Sequence, residues 1–523
     1  MFLNTKASYN NFLELYQSKT YVDKSMIIEL LNERISTIRK FVCITRPRRF
    51  GKSQITFLLE SYYSKAFDTK GIFDNLKVSN TPSYRQHLNK YNVVKIDFSQ
   101  VGQYATYEEY INKIKSNLNF DIDTHYSQVD LTRYDQVQDK FEAIQEETGD
   151  KFIFIFDEWD FIFNRGLYIN EHQEFLEFLR QLLKDRSYVA LCYMTGILPI
   201  KQHSTGSALN MFSEYTFLKD TVLDKFCGFT EEEVQQLCEQ NNGISYEELS
   251  YWYNGYITAS GARIFNPRSV VEALSNNNCQ SYWTNTGAFN EVLSYLKLDA
   301  FGVRDDVIKM INGEHVPIKI LQEFRAGSAI PRTKEEIYSA MITWGFLSYY
   351  NEEVCIPNNE LMLEFVIALR DESFGEVSGL LKNSDEMLRA TLAKDNKKVA
   401  QIVHDIHNSE IPVLKYTDEN STSCVLTLAY LSARDRYRIE REEKSGKGFV
   451  DFVFHPRNSR DLPIVVELKR NSTLKTALNQ VMEREYVEKF MKLYKKDVLV
   501  VVINYSDKRK THTCKIVQVE YEE

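Results

Sequence analysis

The chain has 523 residues, 43% hydrophobic and 26% charged, with a formal net charge of −9. That length exceeds one ordinary core and predicts about two to four domains. The balance is that of a soluble globular protein, and the acidic total argues against a wholly basic nucleic-acid coat protein while leaving a local basic surface open. Eight scattered cysteines, with no CxxC pair and no Cys/His ladder, indicate neither a zinc site nor a disulfide framework and predict reduced thiols. No segment approaches the roughly 20 apolar residues of a membrane span. The N-terminus "MFLNTKASYNNFLELYQSK" lacks the long apolar run of a signal peptide. A cytoplasmic protein with no membrane partner is expected.

In chain order, "KFVCIT" (40–45), "NVVKIDFS" (92–99), "KFIFIFDE" (151–158) and "YVALCYMTG" (188–196) are almost continuously apolar, as strands covered on both faces are. Helical patterns lie between them, near 53–64, 106–118, 134–147 and 171–184. This alternation predicts an α/β fold with a parallel sheet. From about 230 to 410 the pattern becomes mainly helical and includes "TEEEVQQLCEQ" (230–240), where Thr230 and Glu233 have the spacing of a capping box. Near 415–523 a helical run (421–436) precedes the strands "YRIERE", "GFVDFVF" and "LPIVVELK". A helix (473–491) and two further strands (497–503, 513–519) follow.

The first strand runs into "RPRRFGKS" (46–53), a phosphate-loop pattern with Arg46 where the first glycine is expected. The chemistry needs backbone N–H groups aimed into a bowl, an ammonium for the β and γ phosphates, and a hydroxyl for Mg²⁺. Gly51, Lys52 and Ser53 are the residue types for those tasks, and a helix starting near Lys52 adds its positive end. The ATP-contacting loop is thus Arg46, Pro47, Arg48, Arg49, Phe50, Gly51, Lys52 and Ser53. A glycine at the entry is dispensable where φ is negative. "FIFIFDEWD" (152–160) supplies the second half of the site: Asp157, at the carboxyl end of a strand, would hold Mg²⁺ with Ser53, and Glu158 would polarise the attacking water.

"YVDKS" (21–25), "RPRRFGKS" (46–53), "IFDEWD" (155–160), "TGILPI" (195–200), "FCGFTEEEV" (226–234), "WYNGY" (252–256), "FNPRSV" (265–270) and "YWTNTG" (282–287) occur in that order. Together they resemble the AAA-ATPase-like family of bacterial proteins that carry a C-terminal PD-(D/E)XK nuclease-like domain, whose own phosphate loop is arginine-rich. The resemblance implies a P-loop NTPase (AAA-like) parallel-sheet core over residues 1–228, a helical lid or linker region over 229–412 and an α/β nuclease-like domain over 413–523. It further implies that Thr195 acts as a sensor near the γ-phosphate, a plain Thr-Gly turn being the alternative. Arg165 and Arg186 are candidate arginine fingers, and Arg46, Arg48 and Arg49 are a candidate basic rim. "WYNGY" reads as core packing and a turn.

In "GKGFVDFVFHPRNSRDLPIVVELKR" (446–470), Glu467 and Lys469 lie two apart on one strand and therefore share a face. Asp451 on the adjacent hairpin strand can meet them. The two carboxylates, with the Leu468 carbonyl, form an oxygen site suited to Mg²⁺ or Mn²⁺, and Lys469 would position the nucleophilic water or meet a phosphate. This is similar to the D…ExK core of PD-(D/E)XK nucleases, in which Gln480 and Tyr486 match accessory positions. The stretch "SCVLTLAYL" lacks the acid often found on the first core helix, a place Glu440 could fill. Residues 431–523 hold 20 Lys+Arg against 15 Asp+Glu, a balance of +5, whereas the remainder, with 44 against 58, stands at −14. A basic end on an acidic chain suits a polyanion. His404 and His407 read as surface or packing residues.

The expectation is an ATP-binding and ATP-hydrolysing protein joined to a Mg²⁺- or Mn²⁺-dependent nuclease-like domain acting on nucleic acid, DNA first. A nucleotide-gated binding or signalling module with an inactive nuclease-like domain is the alternative, followed by an ATPase with a purely structural C-terminus. The oligomeric state is open, a homo-oligomer included.

Overall fold

The computed structural model describes residues 2–200, 209–241, 243–283, 300–321, 323–325, 331, 333–369, 376–408, 425–445, 448–482 and 486–521. Two compact units divide the chain: Met1–Ala288 with Pro317–Leu361, and Phe289–Val316 with Met362–Glu523.

The first unit is built on five parallel strands, β1 (Phe41–Thr45), β2 (Asn92–Asp97), β3 (Phe152–Asp157), β4 (Val189–Gly196) and β5 (Ser213–Tyr215), in the order β2-β3-β4-β1-β5. Every residue of β1, β3 and β4 is buried, which accounts for their unbroken apolar sequences. Helices α1 (Lys52–Tyr63), α2 (Tyr107–His125), α3 (Val137–Thr148) and α4 (His172–Leu183) link or cover them. Aromatic rings fill one side of the core: Phe141 stands edge-on to Phe152 with centroids 4.7 Å apart and packs on Phe154 and Tyr188. Thr106 caps α2 by accepting the Glu109 N–H at 3.2 Å. That helix runs seven residues past the expected 118, because Asp121 and Ile122 continue its buried face; the Asp121 carboxylate takes the N–H groups of Phe2 and Leu3. Strand β5 was not anticipated. Its Ser-Glu-Tyr sequence is half-buried and carries no β signal.

Arg46 fixes this edge of the sheet. Its guanidinium is wholly buried, donates to the carbonyls of Thr45 (2.8 Å) and Tyr215 (2.9 Å), and forms an ion pair with the buried Asp220. Asp220 also accepts the N–H groups of Val222 and Leu223, both at 2.8 Å. The arginine thus binds β1 to β5 and to the turn that follows.

The region after β5 is mainly helical, with Glu231–Gln240, Tyr246–Tyr253, Pro267–Asn276 and Lys334–Trp344. The capping box at Thr230 and Glu233 is formed, and Glu233 also pairs with Lys24 of "YVDKS" at 2.6 Å. Short strands Phe229–Thr230, Tyr256–Ile257 and Arg263–Phe265 make a small antiparallel sheet that the helical reading of this region did not include. "WYNGY" is core and turn: Trp252, Tyr253 and Tyr256 are buried. Gly255 has φ +114°, and a Cβ there would meet the Pro357 carbonyl.

The second unit contains a mixed sheet of β6 (Tyr437–Ser445), β7 (Gly448–Pro456), β8 (Ile464–Arg470), β9 (Val498–Ser506) and β10 (Thr511–Val519), in chain order. All neighbours are antiparallel except β8 and β9. A parallel pair needs a crossover, supplied by α5 (Leu474–Met482) and α6 (Tyr486–Tyr494), which fall within the helical stretch expected over 473–491; residues 483–485 between them lie outside the described residues. Ala477, Val481, Val487 and Phe490 of these helices cover Val453, Val465, Val498, Val500 and Val502. Of the expected run 421–436, residues 425–429 are helical and Leu431–Asp435 form a 3₁₀ helix, while 421–424 lie outside the described residues. No helix among the described residues is long and apolar enough to cross a membrane, and the seven cysteines described there are free thiols.

Helix Asn396–His407 packs on β10 through histidines. His407 Nδ1 lies 3.2 Å from His512 Nε2, the Tyr505 ring stands 4.7 Å from both imidazoles, and the His404 ring is 5.8 Å from that of His512. Burial, then the nearby His407 and His404, pushes His512 down to about 3.

Two predictions follow from this architecture. Asp220→Ala strands a buried guanidinium and lowers stability by about 3–5 kcal/mol, read as a lower thermal midpoint. Because the folded value for His512 lies below its unfolded one, the neutral form's contribution is complete above about pH 6.5 and drains away as pH falls toward 3. Between pH 7 and 5 it should cost the second unit as much as about 2 kcal/mol, a slope that His512→Gln should flatten in thermal unfolding.

Candidate functional site

Parallel pairing carries the ends of four strands to one edge, with Thr45 opposite Gly196 and Asp97 opposite Asp157. From Thr45 the chain enters the 46–53 loop. The Arg46 N–H donates to the Gly196 carbonyl at 3.1 Å, extending the β1–β4 pairing by one step. Two left-handed residues, Arg49 (φ +72°) and Gly51 (φ +80°), then fold the loop back to the start of α1. Gly51 has open space around its missing Cβ, so the backbone angle, not crowding, calls for glycine there.

Lys52 is 7% exposed. Its Nζ donates to the loop's own carbonyls, at Arg46 (2.9 Å) and Pro47 (2.8 Å). Burial pushes its ammonium below the ordinary lysine value, against the pull of Asp160, Glu158 and Asp157. The Ser53 hydroxyl neighbours the Asp157 carboxylate, which is 1% exposed and is pushed up to about 6 by burial and then by Asp97, with Ser53, Lys95 and Lys52 opposing. Glu158, at φ +48°, donates its N–H to Asp157 Oδ1 at 3.0 Å. Its carboxyl is raised chiefly by burial and lowered by Lys52 and, more weakly, by Arg48. A buried carboxylate beside a hydroxyl, held short of positive charge, is a donor set that a hard divalent cation fits.

The remaining residues of the loop turn elsewhere. Arg46 points into the core, so its side chain is no part of the expected basic rim. The Phe50 ring packs edge-on to Tyr256 at 5.0 Å and to Phe217 at 5.9 Å. Pro47 lies against Gly345, whose added Cβ would come within 2.6 Å of it. Arg49 donates to the Tyr282 carbonyl at 2.7 Å and covers the Trp283 ring at 5.4 Å. Of these four, Arg49 and Phe50 can offer a ligand a backbone N–H, whereas the Arg46 N–H is taken by Gly196 and Pro47 has none. Thr195, on the strand between β1 and β3, is wholly buried and donates to the Ile44 carbonyl at 3.0 Å. Arg165 is exposed just after the short helix Phe161–Asn164. Arg186 precedes β4, at the opposite edge of the sheet, 3.6 Å from Glu142. Sequence reasoning passed over Asp97 and Asp160. Both had a signal: Asp97 ends an apolar strand as Asp157 does, and Asp160 closes the "DEWD" turn.

In the second unit the β7–β8 register, with Phe452 opposite Val466, sets Asp451 beside Glu467. Asp451 Oδ2 accepts the Leu468 N–H at 2.6 Å, so the observed contact from Leu468 is its amide. Lys469 Nζ donates to Glu467 Oε1 at 2.5 Å. Glu467 is 1% exposed and Lys469 about a quarter exposed. Asp451, Glu467 and Lys469 therefore share one face at the end of the sheet, next to α5. The two carboxylates offer oxygen donors of the kind Mg²⁺ and Mn²⁺ take. Among the described residues no set of three or more Asp, Glu, His or Cys converges as metal ligands. Glu440 instead pairs with Arg438 at 2.8 Å and lies 3.4 Å from His455. Gln480 is exposed on α5, whose Ala477 and Val481 face the sheet. Tyr486 begins α6, and its side chain lies outside the described residues.

Residues 8–205 match the AAA-ATPase-like family, described as a predicted AAA-ATPase, and residues 418–514 match the PD-(D/E)XK nuclease superfamily. No curated protein matches the chain. Similar solved structures include the Walker-type ATPase PABY2304 of Pyrococcus abyssi, with 15% identity, 66% of this chain and 94% of that one covered, and a TM-score of 0.33. They also include the ORC2 protein of Aeropyrum pernix in ADPNP–ADP complexes, with 9% identity, 72% and 95% coverage, and a TM-score of 0.30. Likenesses this distant bear no argument about this chain's chemistry. The two family matches do: the chain joins an AAA-ATPase-like domain to a C-terminal domain of the PD-(D/E)XK nuclease superfamily.

Proposed function

We propose that the protein binds and hydrolyses ATP with Mg²⁺ and uses its C-terminal domain to cut nucleic acid, DNA first, with Mg²⁺ or Mn²⁺. The functional division we adopt is residues 1–228 for the ATPase core, 229–412 for a helical lid or linker and 413–523 for the nuclease-like domain. A cytoplasmic setting accords with the free thiols, and a homo-oligomer is one arrangement in which an arginine could reach a neighbouring site.

The observation that carries the ATPase reading is the meeting of Lys52, Ser53, Asp157 and Glu158 at one sheet edge. The loop's backbone cradles the triphosphate, and Lys52 exchanges its hold on the Arg46 and Pro47 carbonyls for phosphate oxygens. Ser53 and Asp157 would hold the cation, which would supply charge neutralisation on the phosphates. Glu158, its carboxyl raised by burial, takes the proton of the attacking water. Thr195, whose buried hydroxyl donates to the Ile44 carbonyl, remains the sensor candidate on the intervening strand through its free acceptor oxygen, a plain Thr-Gly turn being the alternative.

The nuclease reading rests on the cluster of Asp451, Glu467 and Lys469. Asp451 and Glu467 would hold the cation, which would supply activation of water and stabilisation of negative charge on the phosphate. Lys469 orients the nucleophile or meets the scissile phosphate. Gln480 and Tyr486 remain accessory candidates. A second reading, a nucleotide-gated binding or signalling module with an inactive nuclease-like domain, is favoured by one observation: Lys469 is engaged on a Glu467 oxygen and the described residues bring no third acid to the pair.

Lys52→Ala should abolish ATP binding or turnover, measured with a fluorescent ATP analogue and by phosphate release. Lys469→Ala and Asp451→Ala should each lower plasmid nicking in Mn²⁺ by at least about a hundredfold with ATP binding intact. Nicking that persists in EDTA, or that is unchanged in purified Lys469→Ala protein, would refute the nuclease assignment, and no nicking in the wild type with or without ATP would favour the second reading.

A further inference from the structure

Asp160 is 2% exposed, yet none of the roles assigned above uses its carboxylate. Its Oδ2 accepts the N–H groups of Ile197 (3.1 Å) and Leu198 (2.8 Å), the first two residues beyond β4. Its Oδ1 covers Gly196 so closely that an added Cβ would lie 2.3 Å away, with the Trp159 ring at 2.7 Å. Gly196 is therefore a glycine for lack of room, and what fills the room is this carboxylate. The preceding turn repeats the attachment, since the Trp159 N–H donates to the Thr195 carbonyl at 3.2 Å.

The hydrogen bonds continue from the end of β4 into the phosphate loop. The Gly196 carbonyl accepts from Arg46, the Arg46 carbonyl accepts from Lys52, and Asp160 stands first among the charges that pull on the Lys52 ammonium. The turn after β3, the end of β4 and the phosphate loop are thereby held as one piece.

We propose that Asp160 is a positioning residue of the ATPase site, its carboxylate clamping the turn after β4 onto the phosphate loop so that Thr195 and Lys52 keep the spacing that hydrolysis requires. The proposal rests on the ATPase reading above. Displacement of that turn by about 1 Å is enough to slow chemistry about a hundredfold while leaving binding intact, because the loop backbone and Lys52 remain to grip the phosphates. The carboxamide oxygen of an asparagine can accept the same two N–H groups with its amide over Gly196, so Asp160→Asn should restore what Asp160→Ala loses.

The test is steady-state ATP hydrolysis together with affinity for a fluorescent ATP analogue, on the full chain. Wild type and Lys52→Ala come first; a wild type that neither binds nor turns over ATP defeats the ATPase reading itself. Given an active wild type, Asp160→Ala should lose about a hundredfold in kcat with affinity kept within about threefold, and Asp160→Asn should recover at least about tenfold of that loss. An unchanged kcat in Asp160→Ala, affinity and kcat lost in equal proportion, or an Asp160→Asn no better than Asp160→Ala would each overturn the clamp. If Asp160→Ala does not fold, Asp160→Ser is read in its place, and failure of both to fold makes Asp160 a core residue and overturns the proposal as well.

Discussion

The chemistry of the first domain depends on one constraint, the parallel pairing of β3, β4 and β1. Lys52 and Asp157 are more than a hundred residues apart in sequence, and neither can act on a triphosphate alone. Parallel strands end at the same edge, and the order β2-β3-β4-β1-β5 puts a single strand between the loop and the acid. The loop's bend is secured from behind by the buried Arg46–Asp220 pair and from the sides by Phe50 and Arg49. The arginine in place of a glycine is thus a brace of the sheet edge. That explains how the position can dispense with a small residue: the side chain leaves the loop and enters the core.

Electrostatics at this edge is that of a site short of positive charge. Asp157 and Glu158 are both raised by burial, and Asp97 adds to the strain on Asp157. Lys52, itself pushed toward its neutral form, offsets only part of this. Under the function proposed here, such an arrangement would gain from an entering cation and from phosphate at Lys52, so metal and nucleotide would be coupled through shared charge. The second domain solves a similar problem with fewer parts. There Glu467 is buried, Lys469 neutralises it directly, and Asp451 is steadied by a backbone N–H.

Much of this was legible in the sequence because the informative features are local. Continuous apolar runs named four strands of the first sheet, and the two-residue spacing of Glu467 and Lys469 fixed their common face. The hairpin preceding them pointed to Asp451. What was not legible depends on contacts between distant residues. Arg46 could not be read as buried without Asp220 and Tyr215, which stand about 170 positions later. Strand β5 exists because β1 offers it an open edge, not because Ser-Glu-Tyr favours extension. Asp160 was visible but silent, since a third acid, after "DEW", looks like a solvated turn until the amides of Ile197 and Leu198 are found on it.

The account is tested most directly by a crystal structure of the full chain grown with a non-hydrolysable ATP analogue and Mn²⁺, read by anomalous scattering. It predicts a Mn²⁺ peak between the Ser53 hydroxyl and the Asp157 carboxylate, with the Lys52 ammonium transferred from the Arg46 and Pro47 carbonyls to the β and γ phosphates. Bound nucleotide with Lys52 still on those carbonyls, or a metal peak remote from Asp157, would contradict it.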